Sequence, residues 1–333
     1  MRRAVPLLLA LLVGAVLSGC GGGVAGVTAS SGDDDDAPTV ARTPMQAVNG
    51  PPVVAPLAVP LKLQAARDGS APGFVSPLRK EPRAGLVADL DSGKVLWSKA
   101  ATRSLPIASV TKLMTALVVN GHSKPTERVR ISRAAVAAQG SRVGLLPLYK
   151  NVQLETMLYG LLLPSGNDAA VALAEHVGGS VQDFVTMMNS QADALGLHCT
   201  TFDSPSGFEE TLRQRDAKNR SCAVDLAVLA RAVLDQPRLA KIVATNQAIR
   251  PFPIKGRKLF LQNHNPLLKD HYPGTLGLKT GYTDAAGKTF VGAATRGGHR
   301  LVVVLLNTPD IGRQAEALLD RGFRALGVSN AAR

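Results

Sequence analysis

Three short groups of residues carry types and spacings that could do covalent chemistry. The first is Ser109-Val110-Thr111-Lys112, where a serine precedes a lysine by three positions at the head of an apolar run. A serine hydroxyl is a poor nucleophile at neutral pH, and a neutral amine beside it can take its proton. On a helix, positions i and i+3 share a face, which makes the two groups neighbours. No other Ser-x-x-Lys occurs in the 333 residues. The second group is Ser165-Gly166-Asn167, directly after Pro164, and the third is Lys279-Thr280-Gly281. Each alone has a plain reading as a capped helix start, a loop, or a strand ending in a turn. Their order along one chain gives them joint meaning.

The elements that must position them follow from hydrophobic spacing. Gly85 to Leu90 and Lys94 to Ser98 flank the turn residues Asp91-Ser92-Gly93, which predicts a hairpin. A buried helix is expected from residue 109 to about 119, stopped by Gly121. Arg128 to Ser132 alternates like a short strand. Apolar residues at 154, 157, 158, 161 and 162 have a helical period, and Pro164 ends that helix. Asp168 to Val177 is a second helix, and Ser180 with Asp183 caps a third. Ser204-Pro205-Ser206-Gly207 reads as a loop and Ser221 to Leu234 as a helix. Lys258 to Leu261 and Thr275 to Thr283 are strand-like. Thr289 to Ala294 and Leu301 to Leu306 form a second hairpin around Arg296-Gly297-Gly298-His299, and a final helix closes at Gly327. Strands at both ends with helices between predict an α+β arrangement.

Composition narrows the setting. At 45% hydrophobic residues and a mean hydropathy of +0.09, the chain can bury a sizeable core. A net charge of +13 and a pI near 10.0 fit an anionic neighbourhood or plain solubility. Aromatics make up only 4%, with no basic stripe interleaved with stacking residues, which argues against a nucleic-acid binder. The six histidines show no pairing at metal-ligand spacing, so no metal and no cofactor is expected.

Met1-Arg2-Arg3 followed by the apolar run Ala4 to Leu17 reads as an export signal, too short to span a bilayer. It ends in Leu17-Ser18-Gly19-Cys20, which resembles the bacterial lipoprotein processing box and implies a lipid-modified Cys20. Residues 1–19 are thus expected to be the signal, 20–80 a Gly- and Pro-rich tether, and 81–333 the folded domain. Export leaves Cys199 and Cys222 as an even pair that an oxidising compartment would allow to bridge. Closing that loop is worth about 3 kcal/mol in the chain-entropy picture.

The three groups together resemble the penicillin-binding D-alanyl-D-alanine carboxypeptidases, the low-molecular-mass serine peptidases of the bacterial cell wall. The likeness runs from about Ala84 to about Leu326. It extends to Asp91-Ser92-Gly93-Lys94-Val95-Leu96, Ser165-Gly166-Asn167-Asp168-Ala169-Ala170 and Lys279-Thr280-Gly281-Tyr282-Thr283. It implies a serine transpeptidase/β-lactamase-like fold, an antiparallel sheet flanked by helices with a mostly helical subdomain. It implies peptidoglycan stem peptides ending in D-Ala-D-Ala as substrate, β-lactams as inhibitors, and an envelope location. Ser109 would be the nucleophile, Lys112 its base, and Ser165 a proton relay to the leaving amine. Asn167 would bind the substrate backbone, Lys279 and Thr280 its terminal carboxylate, and Gly281 would let the substrate strand lie close. The backbone N–H groups of Ser109 and Tyr282 would form the oxyanion hole, where losing one donor typically costs about 3 kcal/mol.

Two other readings stay open. A class A β-lactamase shares the fold and two of the motifs, but has Ser-Asp-Asn in the second and a glutamate in a Glu-x-x-x-Asn setting after it, which this chain lacks. A non-catalytic wall-binding lipoprotein could keep the fold. Many relatives carry a further β-rich domain, expected to be missing here, which leaves carboxypeptidase against endopeptidase action open.

Overall fold

The computed structural model describes residue 63, residues 69–209, residue 213 and residues 215–329. The signal, Cys20 and most of the tether lie outside the described residues. The chain opens with β1 (Gly69–Ser70), β2 (Ala84–Asp89) and β3 (Val95–Lys99), and β1 pairs with β3, Gly69 opposite Ser98. The tether drawn over 20–80 therefore ends too late. Phe74 is buried in the same cluster as Trp97 and Phe323, and Gln314 Nε2 donates to the Lys80 carbonyl at 2.5 Å. One buried aromatic ring and a strand edge suffice to order a stretch whose prolines read as linker. In the β2–β3 hairpin, Asp89 Oδ1 accepts the N–H groups of Asp91 at 2.8 Å and Ser92 at 3.3 Å.

After β4 (Leu105–Pro106) comes a 3₁₀ turn, Ala108–Thr111, which passes into α1 (Lys112–His122). This helix runs through Gly121, the expected stop. The Ser123 hydroxyl bonds the Val119 carbonyl at 2.6 Å, and His122 Nδ1 lies 2.9 Å from the Val118 carbonyl. Side chains thus satisfy the last carbonyls, and the helix ends where they stand. β5 (Arg128–Arg130) is followed by α2 (Arg133–Ala137), β6 (Asn151–Gln153), α3 (Leu154–Leu162), α4 (Asn167–Gly178) and α5 (Val181–Ala194). Ser132 caps α2 and Ser180 caps α5 through hydroxyl oxygens that accept an N–H three residues on.

The chain continues through β7 (Arg220–Ser221), α6 (Ala223–Leu234), α7 (Pro237–Val243), β8 (Gln247–Pro251), β9 (Lys258–Gln262) and α8 (Pro266–Lys269). It ends with β10 (Thr275–Thr283), β11 (Gly287–Arg296), β12 (His299–Thr308) and α9 (Ile311–Ala325). The main sheet is antiparallel throughout, in the order β1-β3-β2-β12-β11-β10. Alternation divides its side chains between two cores. Leu86, Ala88, Val302 and Val304 join the cluster shared with α1, α3, α4 and α6. Val87, Leu301, Val303 and Leu305 join Leu318, Leu319 and Phe323 of α9. Strands at both ends of the chain and a helical insertion between β3 and β10 give the expected α+β architecture. Strand β10 is left at the sheet edge, against the 3₁₀ turn.

Candidate active site

The first motif is not one α-helix. Ser109 sits in the 3₁₀ turn and Lys112 opens α1. Three residues per turn place i and i+3 directly in line, and Lys112 Nζ lies 2.8 Å from Ser109 Oγ. The amine also donates to Asn167 Oδ1 at 2.7 Å and to the Ser206 carbonyl at 2.7 Å. Lys112 is fully buried. Burial, helped by the charge of Lys279 and opposed by that of Asp168, holds its pKa well below the ordinary lysine value. The backbone is strained just before Ser109: Ala108 has φ +47°.

Gly281 explains how β10 reaches the turn. A Cβ there would meet Thr289 Oγ1 at 2.5 Å, the Ile107 carbonyl at 2.9 Å and Ser109 N at 3.0 Å. The missing side chain makes room for the turn that carries Ser109, rather than for a substrate strand alone. Thr289 Oγ1 holds the contact by donating to the Ile107 carbonyl at 3.1 Å. Gly207 does the same from the other side, where a Cβ would fall 2.0 Å from the Ala108 carbonyl.

A cleft of about 420 Å³ runs along this junction, lined by Ser109, Ser141, Ser165, His264, Thr280, Gly281, Tyr282, Lys288, Asp310 and Ile311. Of the residues picked from sequence, Ser109, Ser165, Thr280, Gly281 and Tyr282 face it. Lys112, Asn167 and Lys279 stand behind its wall. The Ser165 hydroxyl is buried and has no hydrogen-bond partner among the described residues, on a residue held at φ +66°. A buried unpaired hydroxyl is costly, and a bound substrate would supply the partner. The Asn167 amide accepts from Lys112 and donates to the Gln139 carbonyl at 2.5 Å. It therefore positions the Lys112 amine, a task that sequence alone did not assign to it. Lys279 is buried, donates to the Thr280 carbonyl at 2.9 Å, and is lowered by burial to a pKa of about 7.

Several contributors went unread in the sequence. The Ser206 carbonyl is a main-chain group in a loop, invisible to side-chain motifs. Asp168 follows the second motif directly; its carboxylate accepts from Val143 N at 2.9 Å, Gly144 N at 3.0 Å and Ala169 N at 2.8 Å. It pins the segment that carries Ser141, whose carbonyl accepts the Asn167 N–H at 2.7 Å. His264, on the cleft wall, is held below the usual imidazole pKa by burial and by Lys279 and Lys269.

Cys199 and Cys222 are joined in a disulfide with Cα atoms 5.7 Å apart. With Asp225 they make the one cluster of three potential metal ligands among the described residues. Its sulfurs are bonded to each other, and the Asp225 carboxylate accepts from Cys199 N and Thr200 Oγ1, both at 2.7 Å. The bridge closes the loop 200–221, which carries Ser206 to the lysine. Among the described residues no helix is long and apolar enough to cross a membrane.

Comparison with known proteins agrees with this geometry. Residues 74–310 match the family described as D-alanyl-D-alanine carboxypeptidase. The chain is 40% identical over 245 residues to the D-alanyl-D-alanine carboxypeptidase DacB2 of Mycobacterium tuberculosis, covering 72% of this chain and 81% of that protein. It is 35% identical over 257 residues to DacF of Bacillus subtilis, covering 74% of this chain and 64% of that longer protein. The crystal structure of a D-alanyl-D-alanine carboxypeptidase from Mycobacterium tuberculosis superposes with a TM-score of 0.70 at 36% identity, over 80% of this chain and all of that one. A mutant of the Streptomyces K15 DD-transpeptidase gives 0.68 at 31% identity, over 74% of this chain and 99% of that one. A buried Ser–Lys pair at an edge strand, over most of a matched sequence, has one consistent origin: the chain belongs to the D-alanyl-D-alanine carboxypeptidase family.

Proposed function

We propose that this protein is a serine DD-carboxypeptidase that removes the terminal residue from peptidoglycan stem peptides ending in D-Ala-D-Ala. The observation that carries it is a buried Lys112 amine, its pKa held well below the ordinary lysine value, 2.8 Å from the Ser109 hydroxyl that lines the cleft. Ser109 Oγ attacks the carbonyl carbon of the penultimate D-alanine as its proton passes to Lys112. The oxyanion is met by main-chain N–H groups where the Ser109 turn abuts β10. The C–N bond then breaks, and the Ser165 hydroxyl relays a proton to the departing amine. Water hydrolyses the remaining ester and restores Ser109. Thr280 meets the substrate carboxylate directly, and Lys279 adds charge from behind the wall.

The test is mass analysis of products from muropentapeptide. The expected result is loss of one alanine, abolished by Ser109→Ala, with a stable penicillin adduct on the Ser109 peptide. Rapid release of that adduct would favour a β-lactamase instead. Full cleavage by Ser109→Ala would remove the mechanism.

We infer also that the protein is exported and held at the cell envelope by lipid on Cys20, supported by Leu17-Ser18-Gly19-Cys20 at the end of an apolar leader. Two or more acyl chains would give stable anchoring. A mature amino terminus at Cys20 carrying lipid mass is expected, and an unmodified one would dismiss the anchor.

A further inference from the structure

Strands β8 and β9 form a ribbon that pairs with no other strand among the described residues. Its inner side belongs to the core: Leu259 and Leu261 are buried, and the Arg250 guanidinium lies 4.5 Å from the Tyr159 ring centre. Its outer side is different. Ile249 and Phe260 stand directly opposite each other on the ladder, 59% and 71% exposed. They border a shallow hollow of about 600 Å³ on the same ribbon. The turn joining the strands brings Lys255, Arg257 and Lys258, all exposed, beside this apolar pair. Between Asp235 and Asp270 the sequence has seven lysines and arginines and no acidic residue.

An exposed aliphatic–aromatic pair with three cations at one end of its ribbon, in a stretch of sequence without an acidic residue, has specific requirements of its partner. A hydrophilic anionic polymer would engage the cations and leave the apolar pair in water. A second copy of this chain would set like charge against like charge. An anionic bilayer takes both, because its headgroups attract the cations and its interface accepts the apolar side chains. We propose that the β8–β9 ribbon docks on an anionic phospholipid surface, with Ile249 and Phe260 entering the interface and Lys255, Arg257 and Lys258 meeting lipid phosphates. Two residues past β9 the chain reaches His264 on the cleft wall, so docking sets the cleft close to the bilayer. The contact is separate from Cys20 and from the peptidase reaction.

The test uses the full chain carrying Cys20→Ser, so that no lipid on that residue contributes. Vesicles of phosphatidylglycerol mixed with phosphatidylcholine are compared with pure phosphatidylcholine by co-sedimentation. Binding is expected only with phosphatidylglycerol, and it weakens as salt rises. Replacing Lys255, Arg257 and Lys258 by Gln should weaken it about fivefold per cation, about a hundredfold together. Ile249→Ser with Phe260→Ser should weaken it roughly tenfold or more, while penicillin labelling of Ser109 stays intact and certifies the fold. In a Phe260→Trp variant, vesicles should shift the new indole emission to the blue. Unchanged binding by the Ser pair, or no shift from Trp at 260, overturns the proposal. So does loss of concentration-dependent self-association, in place of vesicle binding, in the Ser pair.

Discussion

Lys112 Nζ stands 2.8 Å from Ser109 Oγ, and its other two partners, Asn167 Oδ1 and the Ser206 carbonyl, are both acceptors. A neutral amine has two hydrogens and one lone pair, so two acceptors can take the hydrogens and leave the lone pair for the serine proton. Lys112→Arg keeps a cation but cannot offer that lone pair. It should lower kcat/KM by about a hundredfold to ten-thousandfold, with the thermal transition changed far less. A variant retaining more than a tenth of the wild-type rate would mean that the base lies elsewhere.

The two buried lysines give the pH profile opposite limbs. As the proposed base Lys112 acts in its neutral form, so activity should rise with pH through its depressed pKa. In the proposed mechanism Lys279 acts as a cation, so kcat/KM should fall again as pH passes about 7. A bound carboxylate favours charged Lys279, so the falling limb of kcat should lie at higher pH than that of kcat/KM. Profiles of both parameters between pH 5 and 10 check this, and coincident falling limbs would contradict the role given to Lys279.

Stability should respond with the opposite sign to activity. A lysine whose folded pKa is lowered binds more protons when unfolded, so stability rises with pH from about 7 towards the ordinary lysine value near 10.5. Below the folded value both states are charged, and the full burial cost is felt. Lys279→Met should therefore be inactive yet more stable at pH 6, by about 1–4 kcal/mol. Denaturant melts of both proteins at pH 6 and pH 10 measure it, and the gap should narrow at the higher pH.

Gly281→Ala forces a methyl against Thr289 Oγ1, the Ile107 carbonyl and Ser109 N. Overpacking of this kind costs about 1–3 kcal/mol, and the displaced Ser109 turn should slow acylation by penicillin more than it lowers Tm. Adding Thr289→Ala removes the nearest contact but also the hydrogen bond to the Ile107 carbonyl, so stability should not return to the wild-type value and acylation should stay slow.

The Cys199–Cys222 bridge closes the loop that delivers the Ser206 carbonyl to Lys112. Cys199→Ser with Cys222→Ser should cost about 2–4 kcal/mol. Because Lys112 loses a fixed acceptor as well, the acylation rate should also fall at temperatures well below Tm. An unchanged rate there would show that the loop keeps its place without the bridge.

Reading residues alone yields the three motifs, the long amphipathic helices, the two hairpins and the α+β class. Those signals are local: hydrophobic period, turn residues, and side chains close together along the chain. It also named Ser109 and Lys112 as partners, because three residues of separation suffice in a helical turn. Folding adds that the turn is 3₁₀, that Phe74 draws part of the tether onto the sheet, and that β8 pairs with β9 despite ending in Pro251. It decided, too, that Asn167 and Ser206, 55 and 94 residues beyond Lys112, hold the amine. Lys279 behind the cleft wall and Gly281 against Ser109 N are likewise products of packing. A pKa depends on what surrounds a group, and a hydrogen bond on what faces it. Those neighbours come from distant segments, so no local pattern in the chain encodes them.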